Sequence, residues 1–190
     1  RGEGALVIQT LSRLVDLSPD PASRIDTDMR LAEACRKEGD TASMVRALCD
    51  ALATMPNDPR PAAAFARLYR LDTNEGAAGY VKAMQQSVDI ANARRLPVDP
   101  RWLMNMGLLE ATVLLRPRDG VVHLQQAATL PGAPPDVRTG LGRALEAANR
   151  NSEAIAVLRE VLTTDAETIA RVGDLGPALG ALDAALAKEG

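Results

Sequence analysis

Aromatic residues are nearly absent from this chain: Phe65, Tyr69, Tyr80 and Trp102 are the only four in 190 residues. A core must then be assembled mostly from Ala, Leu, Val and Met. Such side chains suit closely packed helices, because Ala and Leu rank high in helix propensity and Ala lets backbones approach. Histidine is lacking too. His123 alone cannot supply a His-rich metal site, and no C-x2-C pair offers zinc its thiolates. Two cysteines do not make a disulfide framework. No apolar run approaches the roughly 18 residues that span a membrane, so direct membrane insertion is not expected. The formal charge of −3 lacks the basic excess that nucleic acid demands. No signal peptide precedes the first helical pattern, "GALVIQTLSRLVDLSP", which begins at Gly4. The chain therefore reads as a piece of a longer protein, with periplasm or cytoplasm left open.

What is present is helical periodicity. "RLAEACRKEGDTASMVRALCDALATMP", residues 30–56, carries apolar positions at helical spacing on both sides of a polar turn. Gly39 is a plausible stop for the first helix, and Asp40 or Thr41 a plausible N-cap for the second. Residues 135–168 fall into the same 34-residue frame, with "ANRNS" as the turn and Ser152 as the expected cap. Leu31, Ala32, Cys35, Gly39, Leu48 and Ala51 in one correspond to Leu141, Gly142, Leu145, Asn149, Leu158 and Val161 in the other. Residues 101–134 fit again: Gly120, Leu124 and Ala127 stand 34 before Ala154, Leu158 and Val161. Here Gly107 and Leu108 occupy the places of a Leu-Gly pair, so the first helix is out of step.

The stretch 59–100 holds another pair whose second helix, over residues 76–95, is expected to be unusually long and to end at Leu96-Pro97. Residues up to Pro19 look like the second helix of a preceding unit. Gly173, Gly176 and Pro177 are expected to break the pattern before a final helix. Nine or ten helices and no strand are anticipated, in units 1–24 (partial), 25–58, 59–100, 101–134, 135–168 and 169–190.

Candidate chemistry is sparse. A thiol nucleophile needs a base and an electropositive pocket, and His123 is far along the chain from Cys35 and Cys49. Both cysteines are read as structural, with a bond between them left open. His123 is expected to be a half-buried helix residue. "DTD" at 26–28 has the look of a metal-binding acidic pair, but it precedes a helical run and is better read as capping. "GDLGPALG" at 173–180 lacks the G-x-G-x-x-G spacing of a phosphate loop. No catalytic constellation and no cofactor site remain; the chain reads as a binding scaffold rather than an enzyme.

The 34-residue helix–turn–helix, with "GLGRALEAANRNSEAIAVLREVL" carrying the Leu-Gly pair and the later Ala, resembles the tetratricopeptide repeat (TPR) family. "MPND" adds the closing Pro, while Ala166 stands where the last unit would have it. The resemblance implies an all-α, right-handed superhelix of antiparallel helix pairs, a single solenoid over 1–190. It also implies that the first helix of each unit lines a concave groove. The positions carried over are Asp26, Met29, Glu33, Arg36 and Lys37, then Arg60, Ala63, Arg67, Arg70 and Leu71. The third set is Trp102, Asn105, Leu109, Thr112 and Val113, and the last is Asp136, Thr139, Arg143, Glu146 and Ala147.

Met29 and Glu33 stand where the carboxylate clamp of some members has Lys and Asn, so that activity is not implied. Arg36, Lys37, Arg67, Arg70, Asn105 and Arg143, with Trp102 as an apolar anchor, favour a protein or peptide partner bearing acidic residues. Arg67 and Arg70, three apart, are expected to share one helix face. Self-association is left open. Three readings follow: a protein-interaction scaffold, a periplasmic segment of an exopolysaccharide or cellulose export system, and the substrate-recruiting arm of an enzyme.

Overall fold

The computed structural model describes residues 2–164 and 176–189. Ten helices and no strand occur among the described residues: α1 (Gly2–Leu17), α2 (Pro21–Glu38), α3 (Thr41–Thr54), α4 (Pro59–Leu68), α5 (Asn74–Ala93), α6 (Pro100–Thr112), α7 (Pro117–Thr129), α8 (Asp136–Ala147), α9 (Asn151–Thr164) and α10 (Gly176–Glu189). The fold is all-α. Contacts group the chain into two compact units, Arg1–Leu71 with Ala78–Val98, and Asp72–Ala77 with Asp99–Gly190.

Helix entry is written locally. Asp20, Asp58 and Asp99 each precede a proline that opens α2, α4 or α6. Each carboxylate accepts a hydrogen bond from a backbone N–H of the first turn: Ser23 at 2.9 Å, Arg60 at 2.9 Å and Arg101 at 2.8 Å. Proline at the first position gives up a donor that would be orphaned anyway, and its fixed φ suits the helix. Asp-Pro is thus the chain's own punctuation for a first helix. The starts at Pro21, Pro59, Pro100 and Asp136 lie 38, 41 and 36 residues apart, so the 34-residue frame is stretched by the connections.

Helix exit also repeats. Gly39 has φ 76° and Asn149 has φ 59°, both left-handed, where Gly and then Asn tolerate that region best. The following residue closes each turn identically: Asp40 N–H donates to Cys35 O, and Arg150 N–H to Leu145 O, both at 2.9 Å. Asp40 rather than Thr41 then caps α3, through Ser43 N–H at 3.0 Å. Ser152 is not a cap; it is the second residue of α9. Asp26, Thr27 and Asp28 are not caps either, since the Asp20-Pro21 start places them inside α2. Gly176 and Pro177 open α10, the final helix expected after them. Gly173 and Ala166 lie outside the described residues.

In the second unit, α6, α8 and α10 form one layer, with α6 against α8 and α8 against α10, while α7 and α9 pack across them. The sequence register reappears as burial: Leu124, Ala127, Ala154, Leu158 and Val161 are all fully buried. Removing one such leucine from water contributes about 1.5–3 kcal/mol. Small residues set the helix separation. A Cβ on Gly120 would stand 2.5 Å from the Gly107 carbonyl oxygen, and one on Gly107 would stand 2.7 Å from that of Gly120. The out-of-step Gly107 is therefore the partner of Gly120, at a backbone-to-backbone crossing of α6 and α7. Gly142 instead receives the Leu158 side chain of α9.

The first unit stacks α1 to α4 in order. Residues 78–98 close it: Cys49 Sγ of α3 donates to Ala83 O of α5 at 3.2 Å, and Arg94, just past the end of α5, pairs with Asp50. Three of the four aromatics gather here. Phe65 stacks on Tyr69 at 6.2 Å, and Tyr80 of α5 meets both edge-on at 6.5 and 6.4 Å. This cluster ends α4 early, because Tyr69 is extended at φ −113° and ψ 127°.

Substituting Gly120→Ala is expected to lower stability by about 1–3 kcal/mol, since the new methyl must push a backbone carbonyl aside. Gly2→Ala, with nothing within 4 Å, is expected to be neutral or slightly stabilising. Urea midpoints that move equally for both would contradict the glycine crossing.

Candidate functional site

The groove is built on α2. At its centre Met29, Glu33 and Arg36 form one wall, Ala32, Met44 and Leu48 the floor, and Ala64, Arg67 and Leu68 of α4 the other wall, around a volume of about 520 Å³. A second depression of about 800 Å³ adjoins the first along α2, sharing Met29 and Glu33 with it. It is bounded by α1 through Val7 and Leu11, and by Asp26, Met29, Arg30, Glu33 and Lys37 of α2. All five groove positions inferred for α2 from the repeat resemblance thus line one hollow or the other. From the next unit, Arg67 and Arg60 do so.

Charge in the groove is partly spent. Glu33 holds Arg36 with two hydrogen bonds, at 2.7 and 2.8 Å, and approaches Lys37 at 4.0 Å. The Arg36 hydrogen bond keeps the Glu33 carboxyl below its ordinary range. Arg60 is engaged by Asp58 and Asp26, the latter at 2.6 Å. Arg67 is different. It is exposed on the rim of an apolar floor and has no ion pair among the described residues.

Other expected members of the site are placed elsewhere. Arg70 follows the extended Tyr69, beyond the end of α4, so it does not share a helix face with Arg67. Trp102 is only 5% exposed. The Asp99-Pro100 entry turns it inward with Leu103 and Met106, so it serves packing and offers no open anchor. In the second unit Asn105 is half-buried and Arg143 is exposed on α8.

The remaining reactive types are tied into the fold. His123 Nδ1 lies 2.6 Å from Glu110 Oε2, joining α7 to α6 with both side chains largely buried. Cys35 and Cys49 are buried free thiols, unbonded to each other. Burial pushes the Cys49 thiol up to about 11, far from a nucleophile's range. Among the described residues no group of three His, Cys, Asp or Glu is arranged to hold a metal ion, and no helix is long and apolar enough to cross a membrane.

One polar residue was missed by the sequence reading. Asp28 of α2 is 1% exposed, and its Oδ2 has no hydrogen-bond partner. Its environment includes Asp50 of α3, Arg24 of α2, Arg94 beyond α5 and Asp16 of α1. Burial, reinforced by the Asp50 charge, raises its pKa from 3.8 to about 7 against the pull of Arg24 and Arg94. A carboxyl four residues after an arginine gave no pattern that would have marked it as buried.

No family model matches the chain, and no curated protein matches it either.

The Asp28 shift has a definite sign. The folded chain holds this proton more tightly than the unfolded chain, so the side chain's favourable contribution is complete below about pH 4 and is lost as pH rises toward 7. Asp28→Asn is therefore expected to change stability little near pH 4 and to raise it by up to a few kcal/mol at pH 8. Denaturant midpoints measured across that range decide it. A variant destabilised equally at both ends would show that the carboxylate is accommodated ionised.

Proposed function

We propose that this chain is a tetratricopeptide-like, non-catalytic scaffold that binds a short segment of a partner protein in the α2–α4 groove. Support for the repeat reading comes from the helix pairs, the matched left-handed exits at Gly39 and Asn149, and the 34-residue register of buried positions. The observation that carries the binding reading is the unpaired Arg67 guanidinium at the rim of a floor made by Ala32, Met44 and Leu48. Such a surface rewards a ligand with apolar side chains and a carboxylate, and Arg is the side chain best suited to hold a carboxylate bidentately.

The strength follows from the same features. An exposed ion pair contributes about 0–1 kcal/mol, and the neighbouring Arg36 and Lys37 already share Glu33. Micromolar, salt-sensitive binding is the natural outcome. The test is to select peptides from a displayed random library against the intact chain, then titrate the recovered peptides at low and high salt. Acidic–apolar sequences are expected, with about tenfold weaker binding to Arg67→Glu and to the wild-type chain at high salt, roughly 1.4 kcal/mol. Peptides that bind Arg67→Glu as well as the wild type would place the binding surface elsewhere.

A further inference from the structure

The groove between α2 and α4 also limits the shape of what enters it. Its lining residues all belong to helices, and no strand occurs among the described residues. An extended segment therefore finds no open sheet edge, the usual source of main-chain hydrogen bonds for a bound strand. The backbone N–H groups of the lining are taken as well. Met44, the lining residue nearest the start of its helix, donates to Asp40 O at 3.0 Å. The others lie beyond the first turns of α2, α3 and α4, where carbonyls of the same helix accept their N–H groups.

Side chains leave the same gap. Among the described residues the lining holds no serine, threonine, asparagine or glutamine. Its polar members are Glu33, Arg36 and Arg67, and the first two are joined by two hydrogen bonds. That leaves the Arg67 guanidinium, which donates and cannot accept. An extended segment laid on Ala32, Met44 and Leu48 would press both its carbonyls and its N–H groups onto an apolar floor. Each of those groups left without a partner costs about as much as a lost hydrogen bond. A helix avoids that cost, because its own carbonyls accept its N–H groups and only side chains meet the floor.

The groove favours such a guest in two further ways. Ala32 of α2 and Ala64 of α4 are small, so another helix can come close to both. Met29 and Met44 are unbranched and adjust to apolar side chains of different shape. Charge sets the sign of the guest: two arginines against one glutamate leave the lining positive.

We propose that the partner segment enters the α2–α4 groove as an amphipathic helix, with its apolar stripe on Ala32, Met44 and Leu48 and a carboxylate beside the stripe on Arg67. This rests on the groove reading above and adds the conformation and pattern of the ligand. The pattern is apolar residues at i, i+3, i+4 and i+7, with Asp or Glu flanking them.

The test uses two displayed peptide libraries of about 15 residues, a length marginal for a free helix and sufficient for one formed on contact. In one, apolar residues are fixed at i, i+3, i+4 and i+7; in the other they alternate. Both are selected on the intact chain, and the recovered peptides are titrated against wild type and Arg67→Glu, with circular dichroism to confirm that the variant keeps its helicity. The helical library is expected to yield binders that depend on Arg67, and the alternating library none within about tenfold of their affinity. Those binders are expected to gain helical signal on binding and to tighten when stapled across the solvent-facing side. A proline in the middle of that side is expected to weaken them by about tenfold or more. Arg67-dependent binders that alternate, or that tolerate the proline and weaken on stapling, overturn the helix and leave the groove reading standing. Binders indifferent to Arg67→Glu overturn the groove reading itself, and the absence of binders from both libraries overturns both. Self-association of the chain alone that disappears in Arg67→Glu would make the occupant a second copy, and overturns the proposal too.

Discussion

The distance of closest approach between helices governs this molecule. With four aromatics in the whole chain, the core cannot be filled by a few large side chains, and helices must come close enough for Ala, Leu and Val to touch. Gly107 against Gly120 takes this furthest, with carbonyl oxygens standing where side chains would begin. Gly142 beneath Leu158 and the fully buried Ala51, Ala127 and Ala154 follow the same rule with one side chain in place of none. Regular exits at Gly39 and Asn149 and Asp-Pro entries then return the chain at a usable angle, so that one seam leads to the next. A helix pair assembled this way leaves one face apolar, and only a neighbouring pair can cover it.

That constraint also explains where polarity is allowed. The face of α2 toward the hollows carries Glu33, Arg36 and Lys37, all solvent-exposed and mutually paired. Another face buries Asp28 near the Asp50–Arg94 bridge, leaving one oxygen without a partner. One helix therefore carries a charged, solvent-facing side and, on another, a proton-sensitive seam. In the second unit Glu110 is buried as well but has His123 at 2.6 Å, so a polar pair there is satisfied locally.

Much of this was legible in sequence because it is periodic. The all-helical fold, the long α5 and the Gly39 exit rest on spacing that repeats, and repetition averages out local ambiguity. What escaped is local and singular. Arg70 left the groove because Tyr69 turns extended to stack on Phe65 and meet Tyr80, a ring contact no spacing encodes. Trp102 went inside because Asp99-Pro100 sets the rotation of α6. That Asp-Pro signal was present three times in the sequence, yet it is spaced by 38 and 41 residues and so falls outside a 34-residue frame. Asp28 was read as part of a capping run, since burial is a property of neighbours and not of the residue.

Stacked pairs imply a graded molecule, with stability decided by how many neighbours each helix has. Native-state hydrogen exchange, followed helix by helix at increasing urea and at low protein concentration, measures that directly. Amides of α1 and α10 should open first and at little cost, and those of α7, α8 and the buried part of α3 last, near the free energy of global unfolding. All helices exchanging through a single opening of equal free energy would contradict the account, because it would mean that the chain folds around one indivisible core and not by the addition of helix pairs.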